Sequence, residues 1–350
     1  MNSSVPQDDS FDPAFSDSVA GSQPNAQQEP FLAKPIEGRG PRTPIGPNLA
    51  QHHLQSQRWL LPILLLLATC VSTFFAGAMS WEPQLLFSVF GASGEAAQMA
   101  IRQLILRFAG QGVIYMFAVI SILFAHEMGH YIATRIYKIP STLPFFIPFP
   151  ITPLGTMGAV IAMKGQQADR KEIFDIGIAG PLAGLVLAIP IVWIGVGQLD
   201  LSVASSGTYR YDLPLLVRWM YWLQHGSPVV TEVSSSQVNA MFMAGWVGLL
   251  ITGLNMLPLS QLDGGHVTYT LFGSHSRWIA RVFVGIAIAY MVFNQTIIWA
   301  LMLILVFFIG IYHPPTSDDT VPLGTPRIVL GCVSLLIPVL CFPPRGLMMF

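Results

Sequence analysis

The sequence predicts an all-α polytopic membrane protein. Hydrophobic residues make up 53% of the 350-residue chain, and the mean hydropathy is +0.58. Charged residues make up only 10% of it, whereas soluble domains carry about 25%. The apolar residues also occur in runs long enough to cross a bilayer as helices. The formal net charge of −1 gives no indication of nucleic-acid binding.

Taken in order, the chain divides into polar and apolar segments. Residues 1–57 are rich in Ser, Pro, Gln and Asp and predict a disordered cytoplasmic tail, because they cannot bury a core. Residues 58–110 predict a first transmembrane helix near Trp59–Ser80 and an external loop with an interfacial helix. A second helix is predicted from about Gln111 to Tyr137. Further spans, which bring the total to about seven, are predicted near residues 173–197, 237–257, 278–293, 296–312 and 328–342.

The distribution of Lys and Arg favours a cytoplasmic N-terminus. With the tail inside, 12 of the 17 cationic residues lie in predicted cytoplasmic segments or at cytoplasmic span ends. Cytoplasmic loops carry this excess of positive charge in membrane proteins. The prediction is therefore a multi-pass protein, in the cytoplasmic membrane of a bacterium, whose second helix runs from outside to inside.

A His-Glu-Met-Gly-His sequence lies inside the second predicted helix. An α-helix places residues i and i+4 on one face, so His126 and His130 lie above one another about 6 Å apart. This is a geometry in which two imidazoles can share one Zn²⁺. Glu127 is offset from that face, where it can act on a water molecule rather than bind the metal. The alternative is a pair of hydrogen-bonded core histidines.

A third ligand must come from elsewhere, and two aspartates are candidates. Asp263 follows the next span that runs from outside to inside, so it reaches the same side of the membrane as His130. Pro258 and Gly264 flank it and predict a break in the helix, which is tolerated at membrane depth where it lines protein or a water-filled cavity. An ordinary cytoplasmic turn is the alternative. Asp175 begins its span at the cytoplasmic edge and is the less suitable candidate.

Two motifs together resemble those of the site-2 protease family of intramembrane zinc metalloproteases. One is the His-Glu-x-x-His sequence in a transmembrane helix, and the other is Asn-x-x-Pro-x-x-x-Leu-Asp-Gly over residues 255–264. The resemblance covers about residues 110–270. It implies that His126, His130 and Asp263 bind one Zn²⁺ and that Glu127 is the catalytic base. Asn255 matches the asparagine of the second motif, which implies contact with the substrate backbone.

The resemblance extends to two further segments. Residues 154–159 resemble the reentrant loop of the family, which implies a substrate-positioning role for Gly155 and Thr156. Residues 177–181, Gly-Ile-Ala-Gly-Pro, resemble a motif at the start of the middle core helix. Many members have an asparagine where this chain has Gly184, and Gly180 with Gly184 then predicts close helix packing.

The implied architecture is a three-helix protease core with a short reentrant or β-like loop at residues 111–270, followed by C-terminal helices at 271–350. Residues 198–236 are too few to contain a PDZ domain. The implied reaction is hydrolysis of peptide bonds in or near transmembrane segments of membrane-protein substrates. The lipid bilayer is the expected environment, nucleic acid is not an expected partner, and the oligomeric state is open.

Two other functions fit some of the same residues. One is a catalytically silent zinc-binding adaptor, against which the presence of Glu127 argues. The other is a metal or proton transporter that uses intramembrane His and Asp, although the chain lacks the internal repeat typical of transporters. We expect His266, which follows the Asp-Gly-Gly turn, to contact a metal ligand. We expect no metal role for His313, which lies at a span end.

Overall fold

The computed structural model describes residues 59–85, 94–226, 230–259, 261–294 and 313–349, with isolated positions between 296 and 310. The predicted tail at residues 1–57 lies outside the described residues, as does most of the predicted span near residues 296–312.

The described part of the chain is predominantly helical. The first helices are α1 (Leu60–Ala78), α2 (Glu95–Ile136), α3 (Arg170–Gly197), α4 (Leu215–His225) and α5 (Ala240–Asn255). They are followed by α6 (Asp263–Phe272), a short 3₁₀ turn (Gly273–His275), α7 (Ser276–Asn294), α8 (Thr325–Ser334) and α9 (Ile337–Cys341).

Among the described residues, four helical stretches are long and apolar enough to cross a membrane, namely Leu60–Ala78, Ile105–Ile136, Arg170–Gly197 and Asp263–Asn294. Two shorter apolar helices, Ala240–Asn255 and Thr325–Cys341, accompany them. The prediction of a helical polytopic membrane protein is confirmed, whereas the described residues do not confirm the count of seven spans.

Helix α2 is longer than the sequence predicts. It begins at Glu95 rather than near Gln111 and continues without interruption for 42 residues. At about 1.5 Å per residue it is about 63 Å long, twice the thickness of the hydrocarbon core. Hydropathy marks where a helix enters the membrane, and the polar residues before Ile105 are compatible with helix outside it. The predicted interfacial helix is therefore the first part of α2.

Helices α2, α3 and α5 pack together around the main apolar core, and α1 packs against α2. Close approach requires small residues at the crossings. A β-carbon on Gly195 of α3 would lie 2.1 Å from the backbone nitrogen of Phe242 in α5, so only glycine permits this crossing.

The Pro- and Gly-rich segment between α2 and α3 forms an antiparallel hairpin of β1 (Phe145–Phe149) and β2 (Gly155–Val160). The Thr156 hydroxyl donates to the carbonyl of Ile147 at 3.0 Å and accepts from the Gly158 N–H at 3.0 Å, which holds the two strands in register. The Tyr115 hydroxyl of α2 donates to the Leu154 carbonyl at 2.7 Å and fixes the turn. The expected β-like loop is thus a hairpin attached to the helices.

A second sheet has three strands. Its central strand β3 (Tyr209–Asp212) pairs with β4 (Glu232–Ser234) and with β5 (Leu347–Met349) near the end of the chain. Residues 198–236, predicted only as a polar loop, therefore contain α4 and two strands among their described positions. Buried Asp212 accepts hydrogen bonds from Arg218 and from the Arg345 backbone, while burial raises its carboxyl pKa above the ordinary value.

The predicted helix break around Pro258 is present. Helix α5 ends at Asn255, a turn follows, and α6 begins at Asp263. Gly264 packs against this turn so closely that a β-carbon there would lie 2.0 Å from the carbonyl oxygen of Met256. The break therefore fixes Asp263 as the first residue of a new helix, close to α2 and α3.

Candidate metal centre

Three side chains from two helices converge at the start of α6. Nε2 of His126 lies 3.2 Å from one carboxylate oxygen of Asp263, and Nε2 of His130 lies 3.3 Å from the other. The two Nε2 atoms are 3.3 Å apart. His126 and His130 are buried, with 2% and 6% of their surface exposed.

This donor set fits a zinc ion. Bonds of about 2.0–2.1 Å at tetrahedral angles place two donor atoms about 3.3 Å apart, close to the separations observed here. The candidate ligand atoms of His126, His130 and Asp263 all lie within 4.8 Å of one another. Among the described residues, no other group of three His, Cys, Asp or Glu side chains meets the same criterion.

The ring of His130 is oriented by a backbone carbonyl. Its Nδ1 lies 2.8 Å from the carbonyl oxygen of Ile176 in α3. A carbonyl oxygen can only accept, so Nδ1 carries the proton and Nε2 has the lone pair that a metal requires. Nothing in the residue type of Ile176 indicates this contact, which depends on how α2 and α3 cross.

One face of α3 consists of glycines that receive histidine rings. A β-carbon on Gly180 would lie 2.0 Å from Nε2 of His130, and one on Gly184 would lie 3.1 Å from Nδ1 of His126. Gly177, one turn earlier, faces the β-carbon of His266 at 2.9 Å. The sequence predicted helix packing for Gly180 and Gly184 but not their contact with imidazoles. Their spacing of three and four residues was the available signal, because it places all of them on one face.

Glu127 is buried, with 4% of its surface exposed, and lies beside the donor set rather than in it. It shares with His126, His130 and Asp263 a cavity of about 140 Å³. The amide nitrogen of Asn255 lies 3.2 Å from Nε2 of His126, and Asn255 lines the same cavity. These five side chains are thus brought together by α2, the end of α5 and the start of α6.

Gly155 and Thr156 are not among the described residues that line this cavity. Gly155 packs against α1, where its carbonyl accepts a hydrogen bond from the Ser72 hydroxyl at 2.5 Å. The hairpin contributes Ala159 and Val160 to the cavity instead.

The rejected candidate Asp175 is also remote from the donor set. Arg327 forms a two-point ion pair with it, at 2.7 and 2.8 Å, and Tyr137 donates to it at 2.5 Å. Asp175 therefore joins α3 to α8.

The structure combines helices long enough to cross a membrane with a His-His-Asp donor set and an adjacent glutamate. These features define a membrane-embedded metal-binding protein of the His-Glu-x-x-His class. The profile of peptidase family M50 matches residues 114–299, which is more than half of the chain. The chain therefore belongs to peptidase family M50, the site-2 protease family, and the resemblance seen in its motifs is confirmed.

The chain is also similar to plant proteins described as probable zinc metalloproteases. It is 32% identical to the chloroplastic protein EGY1 of Oryza sativa subsp. japonica over 221 residues, covering 61% of this chain and 37% of that protein. Its identity to EGY1 of Arabidopsis thaliana is 28% over 292 residues, covering 81% and 52%. For EGY2 of Arabidopsis thaliana it is 28% over 233 residues, covering 63% and 40%. The chain thus spans about half or less of these relatives. No solved structure matches it significantly.

Gly180→Ala should weaken zinc binding, because the added methyl group must displace the His130 ring. We expect a loss of roughly 10–100-fold in zinc affinity, the effect typical of disturbing the support of a ligand. Metal content after dialysis against a graded chelator measures it. Gly184→Ala should have a smaller effect, since its contact is looser. Gly285→Ala on α7, where nothing lies within 4 Å, is the matched control. Unaltered affinity in Gly180→Ala contradicts the role assigned to this glycine face.

Proposed function

We propose that this chain is an intramembrane zinc metalloprotease that hydrolyses peptide bonds in or near the transmembrane segments of other membrane proteins. The observation that carries the proposal is the buried cavity in which Glu127 adjoins the donor atoms of His126, His130 and Asp263. Membership of peptidase family M50 and similarity to proteins named as zinc metalloproteases support it. The protease core is proposed at residues 111–270.

His126, His130 and Asp263 would hold the zinc ion. Zinc in such a site supplies Lewis acidity, polarising a carbonyl group and making water more acidic. The free-energy cost of burying the three ligand side chains is offset in part by their mutual contact, because the carboxylate of Asp263 contacts both imidazoles. Asp263 also begins α6, where the helix dipole favours a negative charge.

Glu127 would act as the general base and then as the general acid. Its carboxylate takes a proton from the attacking water and returns it to the leaving amine of the cleaved peptide bond. Its burial beside the donor set gives it access to the cavity without making it a ligand. Asn255 would donate its amide hydrogen to the substrate backbone, for which its place in the cavity lining is suitable.

The substrate must be unwound, because a peptide bond in an intact helix has no free backbone groups for a protein to hold. The hairpin would bind the unwound segment by adding it as a strand beside β2. Ala159 and Val160 of this hairpin line the cavity. In this proposal Gly155 and Thr156 position the substrate indirectly, by fixing the turn and register of the hairpin.

Glu127→Gln should retain one zinc per chain and lose peptidase activity, because the amide cannot accept the proton. General acid–base catalysis contributes about 10²–10⁴-fold to a rate. Cleavage of single-span proteins in liposomes, together with metal analysis, measures both quantities. Activity at the wild-type level in this variant would contradict the role of Glu127. Zinc binding without any peptidase activity in the wild type would favour the adaptor.

Asp263→Ala should lose both zinc and activity, and Asp263→Asn should be nearly as damaging, because it keeps the shape but removes the charge. Asp175→Asn is the matched control, since it alters a partly buried aspartate that binds Arg327 and should leave zinc content unchanged. Metal analysis of the three purified variants separates these outcomes. Loss of zinc in Asp175→Asn with retention in Asp263→Asn would refute the proposed ligand set.

We also propose the orientation that the charge distribution predicts, with the N-terminus and the β1–β2 hairpin on the cytoplasmic side of a bacterial cytoplasmic membrane. The sheet of β3, β4 and β5 would then lie outside. Hydrogen bonds join the Ser317 N–H to the Ala168 carbonyl and the Arg170 N–H to the Asp318 carbonyl, which keep residues 317–318 beside the start of α3. The plant relatives are described as chloroplastic, and that description applies to them.

In a variant lacking the native cysteines, a cysteine at Ser206 should react with a membrane-impermeant maleimide added to intact cells, and a cysteine at Gln167 should not. Both positions are exposed in the structure, so access depends on the side of the membrane. Labelling after the membrane is permeabilised is the control and should reach both. The reverse pattern in intact cells would invert the proposed orientation.

A further inference from the structure

The metal centre is buried, and a larger cavity adjoins it. This second cavity has a volume of about 690 Å³ and lies between residues 161–167 and residues 313–315. The two cavities share four lining residues, Ile161, Met163, Gln261 and His266. His266 therefore faces both the larger cavity and the cavity of the candidate centre.

His266 and His313 converge at this junction. Nδ1 of His266 lies 2.5 Å from Nε2 of His313, and their rings are nearly perpendicular at 81°. His266 belongs to α6, one turn after Asp263, and only 7% of its surface is exposed. His313 comes from a segment beyond the residues that the family profile matches.

The tautomer of His313 suits metal binding. Its Nδ1 lies 2.5 Å from the carbonyl oxygen of Pro314, which can only accept, so Nδ1 carries the proton. The lone pair is then on Nε2, the atom that faces His266. A carbonyl orients His130 at the centre in the same way.

The surrounding residues hold the His313 ring in place. The ring of Tyr269 stacks on it, with centroids 4.4 Å apart and an angle of 17°. The Tyr269 hydroxyl donates to Asp319 at 2.7 Å, and the Ser317 N–H donates to the Ala168 carbonyl at 2.8 Å. Of the residues lining this cavity, only Lys164 is cationic, and its side chain is exposed to solvent.

We propose that His266 and His313 form a second, weaker zinc site that receives the ion from the aqueous cavity and passes it to His126, His130 and Asp263. Two imidazoles without a carboxylate bind zinc less tightly than the candidate centre does, which is what transfer in that direction requires. In the structure Nδ1 of His266 donates its proton to the lone pair of His313, so zinc binding requires that the proton of His266 move to its Nε2 and that the two nitrogens separate from 2.5 Å to about 3.3 Å. The transfer step rests on the zinc centre proposed above, whereas the existence of the second site does not.

Zinc titration of the full chain tests the site. Wild-type protein in detergent is stripped with a chelator and titrated with zinc against a chromophoric competitor. We expect two equivalents, the second weaker than the first. His313→Gln should lose the second equivalent and keep the first, because glutamine preserves a polar side chain but removes the imidazole. A single equivalent in the wild type, or two in His313→Gln, overturns the proposal.

Two control variants make the result specific. Tyr269→Phe removes the hydrogen bond to Asp319 but leaves both imidazoles, so it should keep two equivalents. His275→Ala removes an exposed histidine and should also keep two. Every titrated protein, the reference included, carries His52→Ala and His53→Ala, so these two histidines contribute no zinc equivalent. Loss of the second equivalent in His275→Ala would assign it to the surface and overturn the proposal.

The rate of zinc uptake tests the transfer step. Stripped His313→Gln should fill the tight site severalfold more slowly than the wild type, with unchanged final affinity for that equivalent. Equal rates overturn the transfer step. Asp263→Ala should lose the tight equivalent and keep the weak one. If Asp263→Ala kept the tight equivalent, the proposed centre would be wrong whatever His313→Gln does.

Discussion

The close contact between α2 and α3 is the constraint on which the rest of the site depends. Gly129 lies against the backbone of Ala179, and a β-carbon on Gly129 would stand 2.5 Å from that residue's carbonyl oxygen. The histidines on either side of Gly129 must fit into the space between two helices at this distance. They do so only because Gly180 and Gly184 offer no side chain. A small residue on one helix thus determines where an imidazole on the other can lie.

Burial of ionisable groups in a membrane protein is unfavourable unless each finds a partner. The structure provides these partners through secondary structure rather than through additional charges. Ile176 supplies a carbonyl to His130, the broken helix supplies Asp263, and the first turn of α6 supplies a favourable dipole for that carboxylate. Gly264 makes the break possible by packing against Met256. The same elements that create the site therefore reduce the cost of burying it.

The sequence predicted those features that depend on local periodicity or on a single strong helix breaker. Residues four apart share a helix face, so the pairing of His126 and His130 followed from spacing alone. The break near Pro258 followed from its missing N–H. The prediction that Asp263 converges with these histidines also depended on the membrane topology, which was inferred from the alternation of spans and polar loops.

Other features depend on contacts between distant segments, which one sequence does not reveal. Hydropathy did not predict the extension of α2 back to Glu95, because polar residues can continue a helix in water. The pairing of β3 with β5 joins residues more than a hundred positions apart. The contact of His266 with His313 requires the chain to leave the site and return. The sequence predicted a packing role for Gly180, but the sequence of α3 alone does not reveal that His130 is the residue it packs against.

The length of α2 has a mechanical consequence. It is a continuous rod of 42 residues without an internal proline, and it is in tight contact with α3 at Gly129. Rotation about that fulcrum by 5° would displace Glu95, about 51 Å away, by roughly 4 Å, but His126 by only about 0.4 Å. The two imidazoles lie almost on the pivot, whereas the residues near Glu95 lie at the end of the long arm. A tilt of α2 about Gly129 would therefore change the positions of the metal-binding imidazoles very little.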